Sequence, residues 1–301
     1  MLTGMKKNKL YYLLILPGLL YFLVFQYIPM YGIVIAFKDI APFEGVRGIF
    51  TSEWVGFKHF RTFADSYYFW DLLRNTLLIS FYRLLFGFPA PILLALLINE
   101  VRSLAFKRIV QTVSYLPHFI SMVVLAGLIT TLLSVDGGII NAVLQKLGFE
   151  PIYFLGDKHY FRSMLVASGI WKEVGWGTII YLAAISGIDP QLYEAAIVDG
   201  AGRFRQVIHI TLPGILFIVV IMFIFAAGNL LNAGFEQIFL LYSPPVYEVA
   251  DIIDTYVYRK GLLEMQYSFA TAVGLFKSVI ALALLLGTNF LAKKLNQEGI
   301  W

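Results

Sequence analysis

Residues 210–232 read ITLPGILFIVVIMFIFAAGNLLN, and no Asp, Glu, Lys or Arg interrupts them. A helix rises about 1.5 Å per residue, so about 20 apolar residues cross the hydrocarbon core of a bilayer. This stretch therefore reads as a membrane span. Working outward from it, five more stretches of the same kind occur at 10–37, 76–98, 112–134, 164–185 and 268–292. The composition of all 301 residues agrees: 59% are hydrophobic, 14% are charged and the mean hydropathy is +0.76. A soluble domain carries about a quarter charged residues. This chain has too few to coat a water-facing surface, which excludes an ordinary soluble enzyme and a disordered chain. The net charge of +4 is small and the bases are scattered, which excludes a nucleic-acid partner. With no cysteine there is no disulfide, haem thioether or Cys-zinc site. No cluster of His, Asp and Glu has metal-ligand spacing. The expectation is an all-α integral membrane protein of six transmembrane helices, with 1–301 as a single membrane domain lacking repeats or linkers.

The first stretch follows Lys6, Lys7 and Lys9, as a signal peptide would. Its apolar part is too long for that and no small-x-small cleavage site follows, so it reads as a retained span. Lysine and arginine counts set the direction. The segments 1–9, 99–111, 186–209 and 293–301 hold 10 bases in 55 residues, with 5 acids. The segments 38–75, 135–163 and 233–267 hold 10 bases in 102 residues, with 13 acids. Both termini and the 99–111 and 186–209 loops are expected in the cytoplasm. Pro17, Pro29, Pro89, Pro91 and Pro117 fall inside spans and read as kinks without a ligand role.

The loop before the fifth span is Gly187-Ile188-Asp189-Pro190-Gln191-Leu192-Tyr193-Glu194-Ala195-Ala196-Ile197-Val198-Asp199-Gly200-Ala201-Gly202-Arg203-Phe204-Arg205-Gln206-Val207-Ile208-His209-Ile210-Thr211-Leu212-Pro213. Asp189 followed by Pro190 starts a helix, because Asp accepts from a free backbone N–H and Pro suits the first helical position. The helix is expected to run to about Asp199, where Gly200 and Gly202 break it. A second short helix follows from Phe204 to about His209, and Pro213 restarts the chain at the next span. Leu192, Ala195 and Ala196 offer a small apolar face; Tyr193, Glu194 and Asp199 offer polar contacts. Periodicity alone leaves two readings open: a helix for the groove of a soluble partner, or one resting on the membrane surface.

The spacing Glu194-Ala195-Ala196, Gly200, Ile210, Leu212-Pro213 resembles the EAA loop of ABC importer permeases. With Asp199-Gly200-Ala201 and Ile210-Thr211-Leu212-Pro213 it is similar to the carbohydrate-uptake branch related to maltose permeases. Val207 departs from the Phe of many members and puts the packing of the second short helix in doubt. Tyr115-Leu116-Pro117-His118-Phe119-Ile120-Ser121, the segment Leu133-Ser134-Val135-Asp136-Gly137-Gly138-Ile139-Ile140-Asn141 and the ending Asn296-Gln297-Glu298-Gly299-Ile300-Trp301 look like the complex-oligosaccharide or polysaccharide branch.

The resemblance implies the type I ABC importer permease fold, with 186–213 as a cytoplasmic coupling loop between spans four and five. It implies a bacterial or archaeal cytoplasmic membrane. The implied partners are a second homologous permease, a dimer of ABC ATPase subunits and an extracytoplasmic solute-binding protein, with an oligosaccharide as substrate. This chain has no GxxxxGK[ST] loop, and Gly274-Leu275-Phe276-Lys277-Ser278 lacks the glycine before Lys. It is therefore not an enzyme by this reading and binds no cofactor, with ATP and Mg on the ATPase. The ATPase-coupling residues are then Tyr193, Glu194, Ala195, Ala196, Asp199 and Gly200, foremost Glu194 and Gly200.

Ionisable and amide groups inside spans are costly, so each is a candidate for the substrate pathway. These are Arg83, Lys172, Glu173, Asn229, Asn232 and Lys277, with Trp176; Trp171, Tyr181, Glu236 and Gln237 accompany them. Amides and carboxylates suit sugar hydroxyls, aromatic rings suit sugar C–H faces, and Arg83 and Lys277 also suit an acidic sugar. Asn229 and Asn232, three apart, are expected on one helix face. Against this stand interface positions for Lys172 and Glu173, an aromatic belt for Trp171 and a phosphate or a neighbouring span as the partner of Arg83. His118 reads as a hydrogen-bonded packing residue. Gly137, Gly138, Pro244, Pro245 and the Glu248–Asp254 run read as solvated outer faces more than as contacts for a binding protein. Rival readings are a peptide or amino-acid ABC permease, a self-sufficient secondary transporter, which would need repeats and an ion site, and an intramembrane enzyme resting on Lys172 and Glu173 alone.

Overall fold

The computed structural model describes residues 9–294, apart from the side chain of Ala292. The resembling ending Asn296–Trp301 lies outside the described residues. In chain order the helices are α1 (Lys9–Phe37), α2 (Lys58–Ala64), α3 (Phe69–Glu100), α4 (Leu104–Phe119), α5 (Met122–Leu132), α6 (Ile139–Lys146), α7 (Lys158–Ser186), α8 (Pro190–Val198), α9 (Arg203–Gly228), α10 (Phe235–Leu241), α11 (Ile253–Tyr258) and α12 (Tyr267–Lys294). Two short strands, β1 (Lys38–Asp39) and β2 (Glu53–Trp54), pair antiparallel with Lys38 opposite Trp54. By length and composition α1, α3, α9 and α12 are apolar enough to cross a membrane, and α4 with α5 makes a fifth span if the bent pair is one. The predicted fourth span, 164–185, lies within the 29 residues of α7, which also carries Lys158, Arg162, Lys172 and Glu173.

Three helices carry the same device. Leu23–Tyr27 in α1, Arg83–Gly87 in α3 and Val207–Thr211 in α9 are π-helical, and each ends two residues before a proline, Pro29, Pro89 or Pro213. Proline lacks an N–H and its ring crowds the carbonyl four residues back. A wider turn at that place relieves the crowding and lets the helix continue. The expectation that Pro213 restarts the chain after a separate second helix is thereby corrected: Arg203–Gly228 is one helix. The predicted span 112–134 is not one continuous helix, because α4 and α5 meet at 105°. Pro117 lies in a tight 3-10 turn at the end of α4, and the Ser121 side chain accepts from Val124 N to start α5 anew.

The chain forms two compact units, Met1–Phe69 with Tyr256–Lys277, and Trp70–Thr255 with Ser278–Trp301. In the first, Phe63 is buried against the rings of Phe69, Tyr256, Phe269 and Phe276. Ile40 N donates to Ser268 Oγ at 3.1 Å, tying β1 to α12. Lys58 donates to Asp39 at 2.6 Å and holds that carboxyl below the usual range. From Lys9 to Met30 no residue of α1 is buried among the described residues, so that surface is left for lipid or another subunit; Ala36, near its end, is buried.

In the second unit α7 is the central helix. Ala95 of α3, Tyr181 and Ile185 of α7 and Ile215 of α9 form one buried cluster. Ile79, Leu125, Ile129, Phe161, Leu165 and Ile238 join α3, α5, α7 and α10 in another. In lipid such contacts rest on close packing rather than on water expulsion, which favours small residues between helices. Gly175 and Gly177 serve this way: a Cβ at Gly175 would overlap the Ser114 carbonyl of α4, and one at Gly177 would press on Pro91 of α3. The resembling Leu133–Asn141 segment is a loop lock. Buried Asn141 donates to the carbonyls of Ser134 and Ile152 at 3.0 Å and accepts from Ile152 N at 2.8 Å.

Candidate functional site

Two regions carry the predicted residues. The first is α8 and its exit. Asp189 accepts from Gln191 N at 2.9 Å and Pro190 opens the helix, as expected. At the other end Gly200 N donates to Ile197 O at 3.0 Å and Ala201 N to Ala196 O at 2.8 Å. These two bonds close a Schellman turn, whose key residue must be left-handed. Gly200 has φ +74° and open space around it, so backbone conformation, not crowding, demands glycine there. Tyr193 Oη and Thr211 Oγ1 share a hydrogen bond at 2.9 Å, pinning α8 to the π-turn of α9, and Arg203 donates to Glu100 O at 3.3 Å. Leu192, Ile197, Val198 and Phe204 are exposed, as are Glu194, Ala195 and Asp199, while Ala196 is half-buried. The loop is thus rigid in itself and presents an apolar, acidic-edged surface.

The second region lies at the break between α4 and α5. Lys172 is buried and its ammonium donates to the carbonyls of His118 and Ile120, both at 2.8 Å. Breaking a helix frees carbonyls that lipid cannot satisfy; Lys172 satisfies two of them and also lies 3.8 Å from Glu173. Beside it His118 Nδ1 donates to Glu173 Oε2 at 2.8 Å. The His118 ring stacks on Trp176 with centroids 4.5 Å apart and planes at 3°, and Phe119 meets the same indole edge-on. Glu173 is about 20 Å from either end of α7, in mid-helix. Glu173 and Trp176 remain largely exposed on this chain. A carboxylate beside an indole face can hold a hydroxyl and cover a C–H surface together. Trp171 is exposed on the same helix, and Tyr181 instead packs in the buried cluster with Ala95.

Arg83 sits above this on α3. It donates to Gln237 Oε1, and Gln237 Nε2 in turn donates to Ser168 Oγ at 2.8 Å and Leu165 O at 3.2 Å. Gly234 is left-handed, with φ +86°, and a Cβ there would strike the Arg83 guanidinium. Arg83 Nε and Ser80 Oγ are buried without a hydrogen-bond partner among the described residues. Arg83, Ser80, Asn229 and Asn232 line a cavity of about 180 Å³. The asparagines reach it from a turn, not from a helix face, because α9 ends at Gly228 and Asn229 Nδ2 donates to Phe225 O at 3.0 Å. That corrects the shared-face expectation. Lys277 lies on α12 in the other unit.

Sequence reading missed the Arg83–Gln237 and His118–Glu173 pairs. It also took 248–254 as a solvated face, whereas Asp251 is buried and accepts from Thr255 Oγ1 at 2.6 Å. Asn75 donates to Glu248 O at 2.9 Å and Asp251 O at 3.0 Å, and Arg162 to Val249 O at 3.0 Å. Only Glu248 faces out, paired with Lys158, which lowers its carboxyl below the usual range. No metal-ligating cluster of three occurs among the described residues.

The family described as "Binding-protein-dependent transport system inner membrane component" matches residues 87–298. Among curated proteins, Protein LplB of Bacillus subtilis (strain 168) is 49% identical over 300 residues, covering 100% of this chain and 93% of that one. The polygalacturonan/rhamnogalacturonan transport system permease protein YteP of the same organism is 51% identical over 302 residues, with the same coverage. Among solved structures, a chain of a bacterial ABC transporter that imports the acidic polysaccharide alginate superposes with TM-score 0.90 at 44% identity, over 97% of this chain and 98% of that one. A chain of an alginate ABC transporter in complex with an alginate pentasaccharide-bound periplasmic protein gives TM-score 0.91 over 99% of both. At this identity and coverage the chain belongs to the inner-membrane permease family of binding-protein-dependent ABC transport systems.

Proposed function

We propose that this chain is one of two homologous permease subunits of an ABC importer that carries an oligosaccharide or polysaccharide fragment by ATP-driven alternating access. The observation that carries the reading is α8, a self-supporting helix whose exposed apolar face has no partner within the described residues, in a chain whose full length resembles sugar permeases. The apolar face, with Glu194 at its edge, docks in a cleft of an ATPase subunit, which holds ATP and Mg. Closure of the ATPase dimer moves α8, and the Tyr193–Thr211 bond and the turn at Gly200 pass the movement to α9. A bound ligand can shift such a two-state element only by preferring one state. Both termini and 186–213 face the cytoplasm, six spans cross the membrane with α7 as the fourth, and an extracytoplasmic binding protein delivers substrate from the other side.

Within the membrane, Glu173 and Trp176 receive the sugar at the break between α4 and α5, and Arg83, Asn229 and Asn232 continue the route. Lys172 serves that route by holding the break open rather than by touching cargo. The test is Gly200→Pro, which removes both the left-handed φ and the N–H to Ile197. The variant reaches the membrane and assembles, but uptake is abolished and the binding protein no longer stimulates ATP hydrolysis. Transport at the parent rate would reject the coupling role of α8.

A further inference from the structure

A cavity of about 540 Å³ opens between α3 and the first half of α7, on neither of the two regions above. Its rim carries Lys158, His159 and Arg162, and its floor is Phe86, Val166 and Ile170. The α7 members recur at helical spacing, so charge and hydrocarbon follow one another down a single face. From Lys158 to Ile170 that face descends about 18 Å, close to the hydrocarbon depth of one leaflet. The facing helix α3 is itself long and apolar enough to cross a membrane.

The rim is built rather than incidental. Arg162 is fixed by donating to Val249 O at 3.0 Å and to Asn75 Oδ1 at 2.6 Å, and both acceptors are neutral, so its charge stays available. The nearby acid, Glu248, belongs to another loop and pairs with Lys158 from outside the lining. Among the described residues no Asn, Gln, Asp or Glu lines the cavity, and Tyr82 and Ser163 are its uncharged polar members. That composition lacks the amides and carboxylates that the hydroxyls of a neutral sugar call for. It suits an anion that continues into hydrocarbon, since phosphate is attracted to juxtamembrane cations and an acyl chain to an apolar floor.

We propose that this cavity binds one anionic glycerophospholipid, its phosphate among Lys158, His159 and Arg162 and an acyl chain over Phe86, Val166 and Ile170. In the orientation given above the lipid comes from the outer leaflet. It lies against the two helices that carry Arg83 and Glu173. The site is independent of which cargo the importer carries.

The test uses the whole transporter complex, stripped of lipid in detergent and titrated with phosphatidylglycerol or phosphatidylcholine, with retained lipid counted by native mass spectrometry. The parent retains phosphatidylglycerol in preference to phosphatidylcholine. Lys158→Gln with His159→Gln weakens retention by about fivefold, the loss expected for one interfacial cation. Ala167→Phe fills the floor without touching charge and weakens it as well. Equal retention of both lipids, or retention unchanged by both variants, would overturn the proposal. Displacement of the lipid by inorganic phosphate would assign the site to a small anion, and displacement by a galacturonate oligomer would assign it to cargo; either overturns it too.

Discussion

The turn after α8 and the break after α4 both end a helix within a few residues, and they do so by opposite means. After α8 the freed carbonyls of Ala196 and Ile197 are met by the next two backbone N–H groups along the chain, through one glycine in a left-handed conformation. After α4 the carbonyls of His118 and Ile120 are met by the ammonium of Lys172, more than fifty residues on. The first solution is local, so the helix can stand clear of the protein with Leu192, Ile197 and Val198 facing outward. The second is tertiary, and it draws His118, Glu173 and Trp176 into one cluster. A coupling element has to be rigid without being buried. A membrane-depth site has to hold polar groups that lipid will not solvate.

The largest effect that separates the two comes from Lys172→Met. It leaves the half-buried carbonyls of His118 and Ile120 without their charged donor, at about 1–3 kcal/mol each. The expected outcome is a complex that loses thermal stability by a few kcal/mol while ATPase coupling in the surviving fraction is retained. Lys172→Arg, which keeps a donor, is expected to recover most of the loss. A Lys172→Met complex as stable as the parent but unable to transport would move Lys172 from supporting the break to contacting the cargo.

Next in size is Trp176→Ala. The indole is stacked by His118 on one face, so its removal costs a ring contact of about 1 kcal/mol on the protein side. If the same ring covers a sugar face, the KM for uptake rises about fivefold while stimulation of ATP hydrolysis by the binding protein is kept. Loss of stimulation with unchanged KM would place Trp176 in the coupling machinery and erase the distinction between the two regions.

How much of each region could be read in the sequence follows from the same contrast. Asp189-Pro190 and Gly200 announce the start and stop of α8 because their work is done by their own backbone and its neighbours. The spans α1, α3, α9 and α12 are legible because hydrocarbon imposes a length on an apolar run. The π-turns before Pro29, Pro89 and Pro213 leave no mark of their own, so Pro213 looked like a boundary although α9 passes through it. Arg83 was legible as an isolated charge in an apolar run, but its partner Gln237 is 154 residues away and carries no signal at that distance. Asn229 and Asn232 were legible as amides, while the turn that carries them into the cavity depends on where α9 stops.

The smallest and sharpest test lies at the side-chain bond that joins α8 to α9. Tyr193→Phe removes the hydroxyl that meets Thr211 at 2.9 Å and leaves the ring in place. A neutral hydrogen bond of this kind is worth about 1 kcal/mol, and the Schellman turn at Gly200 is untouched. The helix therefore keeps its shape and its outer face, and ATPase docking is unchanged. What weakens is the link to the π-turn at Val207–Thr211, where α9 is already wound loosely. Uptake per ATP hydrolysed is expected to fall by a factor of about two to five, with hydrogen exchange faster at 207–211 and unchanged at 190–198. Thr211→Val should give the same loss, and the double variant no more than either single one, because the two remove one shared bond. Additive losses would mean that α8 drives α9 through Gly200 and the backbone alone.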